Sequence, residues 1–177
     1  MQGTKVASRY ALSLLELTEE KQVSERIAAD MESLIAVTSD NHDFAVFLKN
    51  PIIKADKKAA IFDTVFAQFD ELTKGFIHLI TKNRREKYLP VIAESFIAQL
   101  KAKRGIVPVV LSTAAPMDAS VKESLLGKLE GQVDGKFEVK EEIDKDLIGG
   151  FVFKMGDTRI EASIARQLKE LKHRLTN

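Results

Sequence analysis

The stretch Leu100-Lys101-Ala102-Lys103-Arg104-Gly105-Ile106-Val107-Pro108-Val109-Val110-Leu111 is where the chain changes period. Before it, Leu89, Ile92, Ala93, Phe96 and Leu100 recur at steps of three and four, which predicts a helix from about Lys87 to Arg104. Pro90 fits only in the first turn of that helix, where its missing N–H costs little. Lys101, Lys103 and Arg104 suit the negative end of the helix dipole, and Gly105 is the residue type that ends helices in a left-handed conformation. After Gly105 the β-branched run Ile106 to Leu111 reads as a strand, and Pro108 within it argues for an edge position or an irregular start.

Upstream the helical period holds throughout. Val6, Tyr10, Leu14 and Leu17 predict a first amphipathic helix. Val23, Ile27, Met31 and Leu34 predict a second, running from about Thr18 to Ser39 with Thr18 as its N-cap. Asp40 or Asn41 can cap a short helix holding Phe44, Phe47 and Leu48, and Asn50-Pro51 ends it, because a residue before proline is pushed out of the α region. One helix with Ile61, Phe62, Val65 and Phe66 follows, and another after Asp70 with Leu72, Phe76, Leu79 and Ile80. Six helices with short links make a bundle.

Downstream, Asp118 can cap a helix with Val121, Leu125, Leu126 and Leu129. Phe137 to Glu141 alternates as a half-buried strand, and Phe151 to Met155 forms another after a turn at Gly149-Gly150. Thr158 and Glu161 have capping-box spacing and predict a last helix lined by Ile160, Ile164, Leu168, Leu171 and Leu175. The expected fold class is α + α/β: a six-helix bundle over residues 1–105, then a small α/β domain over 106–177.

Composition narrows the function. The net charge is +1, divided as +2 over residues 1–105 and −1 beyond, so neither part has the positive field that phosphate neutralisation needs. There are no cysteines, which excludes disulfides, thiol catalysis and Cys-based zinc sites together. Met1 to Val6 lacks an apolar signal region, so the expectation is a bacterial or organelle-encoded chain, or an imported one already in its mature form. Leu147 to Phe153, as long as any stretch without polar side chains, is far short of the ~18 residues of a membrane span.

No catalytic constellation stands out. His42, His78 and His173 are scattered, without metal-ligand spacing, and Gly127-Lys128 has no earlier glycine at P-loop distance. The carboxylates Glu141, Glu142, Asp144 and Asp146 are interleaved with Lys140 and Lys145 on a solvated strand end, whereas acid–base work needs a desolvated group. The basic run Lys82 to Lys87 is interrupted by Glu86 and reads as a polar junction between helices. What remains unassigned is apolar surface. The first helix sets small Ala7, Ala11 and Ser13 beside Tyr10 and Leu14, and Phe76 to Ile80 is apolar at four of five positions, wider than a stripe facing one core. Such a surface can receive a partner helix or be consumed by a small bundle's own core.

These residues carry a family resemblance. Val6-Ala7-Ser8-Arg9-Tyr10-Ala11-Leu12-Ser13-Leu14-Leu15-Glu16-Leu17 resembles the opening helix of the delta subunit of F-type ATP synthases, whose mitochondrial counterpart is the oligomycin-sensitivity-conferring protein. Phe47-Leu48-Lys49-Asn50-Pro51 and Asn83, Arg85, Leu89, Ile92 and Phe96 are similar to its middle. Ile143-Asp144-Lys145-Asp146-Leu147-Ile148-Gly149-Gly150-Phe151, with Gly156-Asp157 and Ser163-Ile164, resembles its C-terminal signature. Glu161-Ala162 departs from the Asp-Gly that the family often has before that serine.

The resemblance implies a non-catalytic stator subunit of the peripheral stalk. It ties the catalytic head to the b-subunit stalk, so that proton-driven rotation is coupled to ATP synthesis. The first and fifth helices would receive the N-terminal helix of an alpha subunit, at Tyr10, Ala11, Leu14, Phe76, Leu79, Ile80 and Asn83. The C-terminal domain would bind the end of the b subunit. No cofactor, metal or nucleic acid is implied. One copy per complex would lie on the cytoplasmic face of the bacterial membrane, or the equivalent organelle membrane, held there through the complex. The competing reading is a small enzyme or nucleotide-binding protein whose site forms only in three dimensions. Equilibrium dialysis with labelled ATP separates the two.

Overall fold

In the first hundred residues every helix buries an apolar stripe, and side-chain caps fix the starts of two of them. The computed structural model describes residues 2–114, 136–144, 147, 149–155 and 158–163, the side chains of 2–4 and 158–163 excepted. The chain divides into two compact units, Met1–Leu100 and Lys101–Asn177. Six α-helices are described: α1 (Gln2–Glu20), α2 (Ser24–Asp40), α3 (His42–Lys49), α4 (Ala55–Val65), α5 (Glu71–Lys82) and α6 (Leu89–Lys103), with a 3-10 turn at Glu86–Tyr88 before the last.

The cap expected at Asn41 is in place, and the structure adds one at Asp70. Asn41 Oδ1 accepts the Phe44 N–H at 3.1 Å, and Asp70 Oδ1 accepts that of Leu72 at 2.9 Å, satisfying N–H groups that the first helical turn leaves unpaired. Thr18 is a correction. It belongs to the last turn of α1, buried, with its hydroxyl donating to the Leu15 carbonyl. The break comes later, at Gln22, where φ is +56°. The Val23 N–H donates to Thr18 O and that of Gln22 to Glu19 O, the paired bonds of a Schellman ending. No glycine marks this ending, so the sequence carries no signal for it.

The core of the first unit draws on all six helices. Ala7, Ala11 and Leu14 of α1 meet Ile27, Met31 and Leu34 of α2, Ile77 and Ile80 of α5, and Ile92 and Phe96 of α6. At one end Phe44, Phe47, Phe62, Phe66 and Phe69 form a ring cluster with neighbouring centroids 4.5–6.3 Å apart. Edge-to-face and offset pairs of this kind contribute beyond their buried area.

In the second unit the strands β1 (Ile106–Thr113), β2 (Lys136–Ile143), β3 (Gly150–Met155) and β4 (Thr158–Ser163) form one sheet in the order β2-β1-β3-β4. β2 runs parallel to β1, and the other two pairings are antiparallel. Val109, Leu111 and Phe153 form the buried centre of one face, with Val107, Phe137, Val139, Phe151 and Met155 packed around it. Gly150 enters β3 at φ +87°, a conformation that a side chain would strain.

Two expectations are revised here. β1 is an interior strand, not an edge. Pro108 is tolerated because β3 pairs with β1 only from Val109 to Thr113, leaving that side of Pro108 without a strand partner. Residues 158–163 form a strand instead of opening a helix. Met155 pairs with Thr158, so only Gly156-Asp157 intervene, a sequence typical of two-residue hairpins, and pairing along β3 outweighs the capping-box pattern. The helix expected after Asp118, and the part of the last helix beyond Ser163, lie outside the described residues.

Candidate partner-binding surface

Helical spacing places Val6, Tyr10, Ser13 and Leu17 along one flank of α1, beside the stripe that faces the core. Leu72, Phe76, Leu79 and Asn83 occupy the corresponding flank of α5 and its C-cap. The two flanks meet where the Tyr10 ring abuts Phe76 edge-on, with centroids 6.5 Å apart and planes at 74°. From the turn after α5, Arg85 lies over the Tyr10 ring at 5.5 Å, and its Nη1 donates to the phenol oxygen at 3.1 Å. The tyrosine is thus clamped by an aromatic edge on one element and a guanidinium on another.

The end of α5 is shaped to present this flank. Arg84 takes φ +55°, its N–H donates to Thr81 O, and the Arg85 N–H donates to Ile80 O, a second Schellman ending built without glycine. Asn83 Nδ2 donates to the Leu79 carbonyl at 2.9 Å, beside the Asn83 N–H that the same oxygen accepts at 3.2 Å. Leu79 is left 51% exposed.

The seven residues named from sequence therefore fall into two groups. Tyr10 and Phe76 are half-buried and in contact, and Leu79 and Asn83 are exposed beside them. Ala11, Leu14 and Ile80 are in the core, with at most 1% of their surface accessible, so they support the surface from beneath. Two further residues belong to the same surface. Leu17, read from spacing as core, is 40% exposed, because the core centres on Ala7, Ala11, Leu14 and Thr18. Arg85 was hidden inside a basic run whose members look alike in sequence; only its contact with Tyr10 sets it apart.

Of the other chemistry-bearing residues, His173, Gly127-Lys128, Lys145 and Asp146 lie outside the described residues. His78 Nε2 lies 2.7 Å from Asp63 Oδ1 on the surface, and His42 begins α3. Lys140 pairs with Glu142 along β2 at 3.0 Å. Lys58 of α4 is buried, donating to the Leu48 carbonyl at 3.1 Å and to Glu86 Oε1 at 2.5 Å. It ties the end of α3 to the 3-10 turn. Among the described residues no three His, Cys, Asp or Glu side chains are grouped as metal ligands, and no helix is long and apolar enough to cross a membrane.

Comparison with known proteins gives a consistent result. The family model described as ATP synthase delta (OSCP) subunit matches residues 6–175. The ATP synthase subunit delta of Flavobacterium johnsoniae is 33% identical over the whole of both chains. That of Cytophaga hutchinsonii is 35% identical, over 99% of this chain and 97% of its own. A chain in the cryo-EM structure of the Toxoplasma gondii mitochondrial ATP synthase hexamer shares the fold, with a TM-score of 0.75 over 97% of each chain at 21% identity. A family match across nearly the whole length, with relatives above 30% identity, is decisive: the chain belongs to the ATP synthase delta (OSCP) subunit family.

Proposed function

We propose that the chain is the non-catalytic stator subunit of an F-type ATP synthase, joining the catalytic head to the peripheral stalk. Family membership supports the assignment to an ATP synthase. The helical part, residues 1–105, binds the N-terminal helix of an alpha subunit, and residues 106–177 bind the end of the b subunit. The chain contributes no catalytic residue and holds no nucleotide. One copy sits in each complex, peripheral to the membrane on its cytoplasmic face in a bacterium. Mechanically, the link keeps the head from turning with the rotor, so rotor torque changes the nucleotide sites.

The observation that carries the alpha-subunit reading is the Tyr10–Phe76 contact with Leu79 half exposed beside it. An amphipathic helix laid along α1 and α5 would cover these side chains, and burying each Leu or Phe contributes roughly 1.5–3 kcal/mol. Phe76→Asp should therefore weaken binding of an alpha-subunit N-terminal peptide by about a hundredfold in calorimetry, with helicity by circular dichroism retained. Leu79→Asp, at an exposed position, should act in the same direction without touching the core. Unchanged affinity in both variants would remove the assignment of this surface.

A further inference from the structure

A second concave surface lies away from α1. The loop between α3 and α4 and the turn after α5 enclose a cleft of about 430 Å³. Pro51, Ile52 and Ile53 supply apolar atoms to its lining, and Ile52 is 87% exposed. Four cations line it, Lys49, Lys54, Arg84 and Lys87, against one carboxylate, Glu86. That carboxylate is engaged inward by buried Lys58. Lys87 lies over the Tyr88 ring at 4.9 Å, while Lys49, Lys54 and Arg84 have no ion-pair partner among the described residues.

The walls are held in place. The Ile52 N–H donates to Asn50 Oδ1 at 2.9 Å, fixing the loop from within. Arg84 occupies the left-handed position of a Schellman ending, which sets where its side chain departs. Lys58 joins Leu48 O on one side to Glu86 on the other. A preformed apolar cleft rimmed by free cations loses little freedom on binding and selects an anionic partner that brings apolar atoms.

We propose that this cleft takes an acidic segment of a neighbouring polypeptide, with its carboxylates on Lys49, Lys54, Arg84 and Lys87 and an aliphatic side chain against Ile52. This site is independent of the α1–α5 surface, since no residue of α1 lines it. The chemistry favours a peptide over a phosphorylated ligand: the concave apolar wall of Pro51, Ile52 and Ile53 takes an apolar side chain at side-chain spacing from the charge.

The test uses the full chain, labelled with ¹⁵N, and a short synthetic peptide of alternating glutamate and leucine. The same peptide with lysine in place of glutamate is the control. Amide shifts should concentrate at Asn50–Ala55 and Arg84–Lys87 with the acidic peptide and be absent with the basic one. Binding should weaken with salt, and by about tenfold or more in the Lys54→Glu/Arg84→Glu variant, both positions being exposed. If that variant loses its helicity, Lys49→Glu/Lys87→Glu carries the same comparison. Shifts scattered over all basic residues, equal affinity in a folded variant, or response at these residues to phosphatidylglycerol vesicles but not to the peptide would each overturn the proposal.

Discussion

Gln22, Arg84 and Gly105 occupy the same backbone position, the left-handed residue that follows a helix, with φ of +56°, +55° and +67°. A left-handed conformation costs a non-glycine residue roughly 1–2 kcal/mol, and only Gly105 avoids it. A Cβ at Gly105 would meet nothing within 4 Å, so Gly105→Ala sets backbone strain, without a clash, against a smaller loss of unfolded-chain entropy. We expect that change to lower stability by about 1 kcal/mol in urea unfolding. Gln22→Gly should raise it by about 0.5 kcal/mol in the same measurement, since relief of strain exceeds the added entropy of the unfolded chain. The conformational rule is one, but the residue types differ, so the helix end at Gly105 is visible in sequence and those at Gln22 and Arg84 are not.

Between elements, two buried polar links do what no apolar stripe can. Asp30 of α2 accepts from the Asp70 N–H at 2.9 Å and from the Thr73 hydroxyl at 2.6 Å, so a side chain of one helix caps the start of another, α5. Asp30→Ala leaves both donors unpaired and should cost about 2 kcal/mol of unfolding free energy, read from the urea midpoint. Lys58 continues the line of Phe62 and Phe66 into the core of α4, where sequence periodicity would place an apolar residue. Glu86 Oε2 already lacks a hydrogen-bond partner, so Lys58→Met would leave the whole carboxylate uncompensated. That variant should lose about 3 kcal/mol, and Lys58→Met/Glu86→Leu should recover most of it. No recovery in the double variant would mean that Lys58 acts mainly by holding the Leu48 carbonyl. β4 teaches the same lesson in a sheet: the open side of β3 decides the conformation of residues 158–163, and helix propensity yields to pairing.

For the whole molecule, function follows from how exposed surface is distributed. The first unit buries one stripe of each helix and leaves a flank of α1 and α5 joined at Tyr10 and Phe76. In isolation that flank is half solvated, which predicts mutual stabilisation. A saturating alpha-subunit N-terminal peptide should raise the thermal midpoint of the chain, and Phe76→Asp should abolish the rise while leaving the peptide-free fold intact. A rise that persists in the variant would place the peptide elsewhere.

Periodicity and capping chemistry sufficed to read the helical first part, the cap at Asn41, the helix end at Gly105 and the strands at Phe137 and Phe151. Each is a local property of the backbone or of side-chain spacing along it. The family resemblance was equally legible, because it rests on residues close together in sequence. The tertiary structure alone decided which members of the apolar stripes are surface. Leu17 and Ile80 look alike in the pattern, yet one is 40% exposed and the other buried, since burial depends on which helices arrive from elsewhere in the chain. It alone also distinguished Arg85 and Lys58 from the other cations, through partners that lie 75 and 28 residues away in sequence. Local chemistry determines the helices and most strands, pairing with β3 decides residues 158–163, and the contacts between distant elements determine what each side chain is left to do.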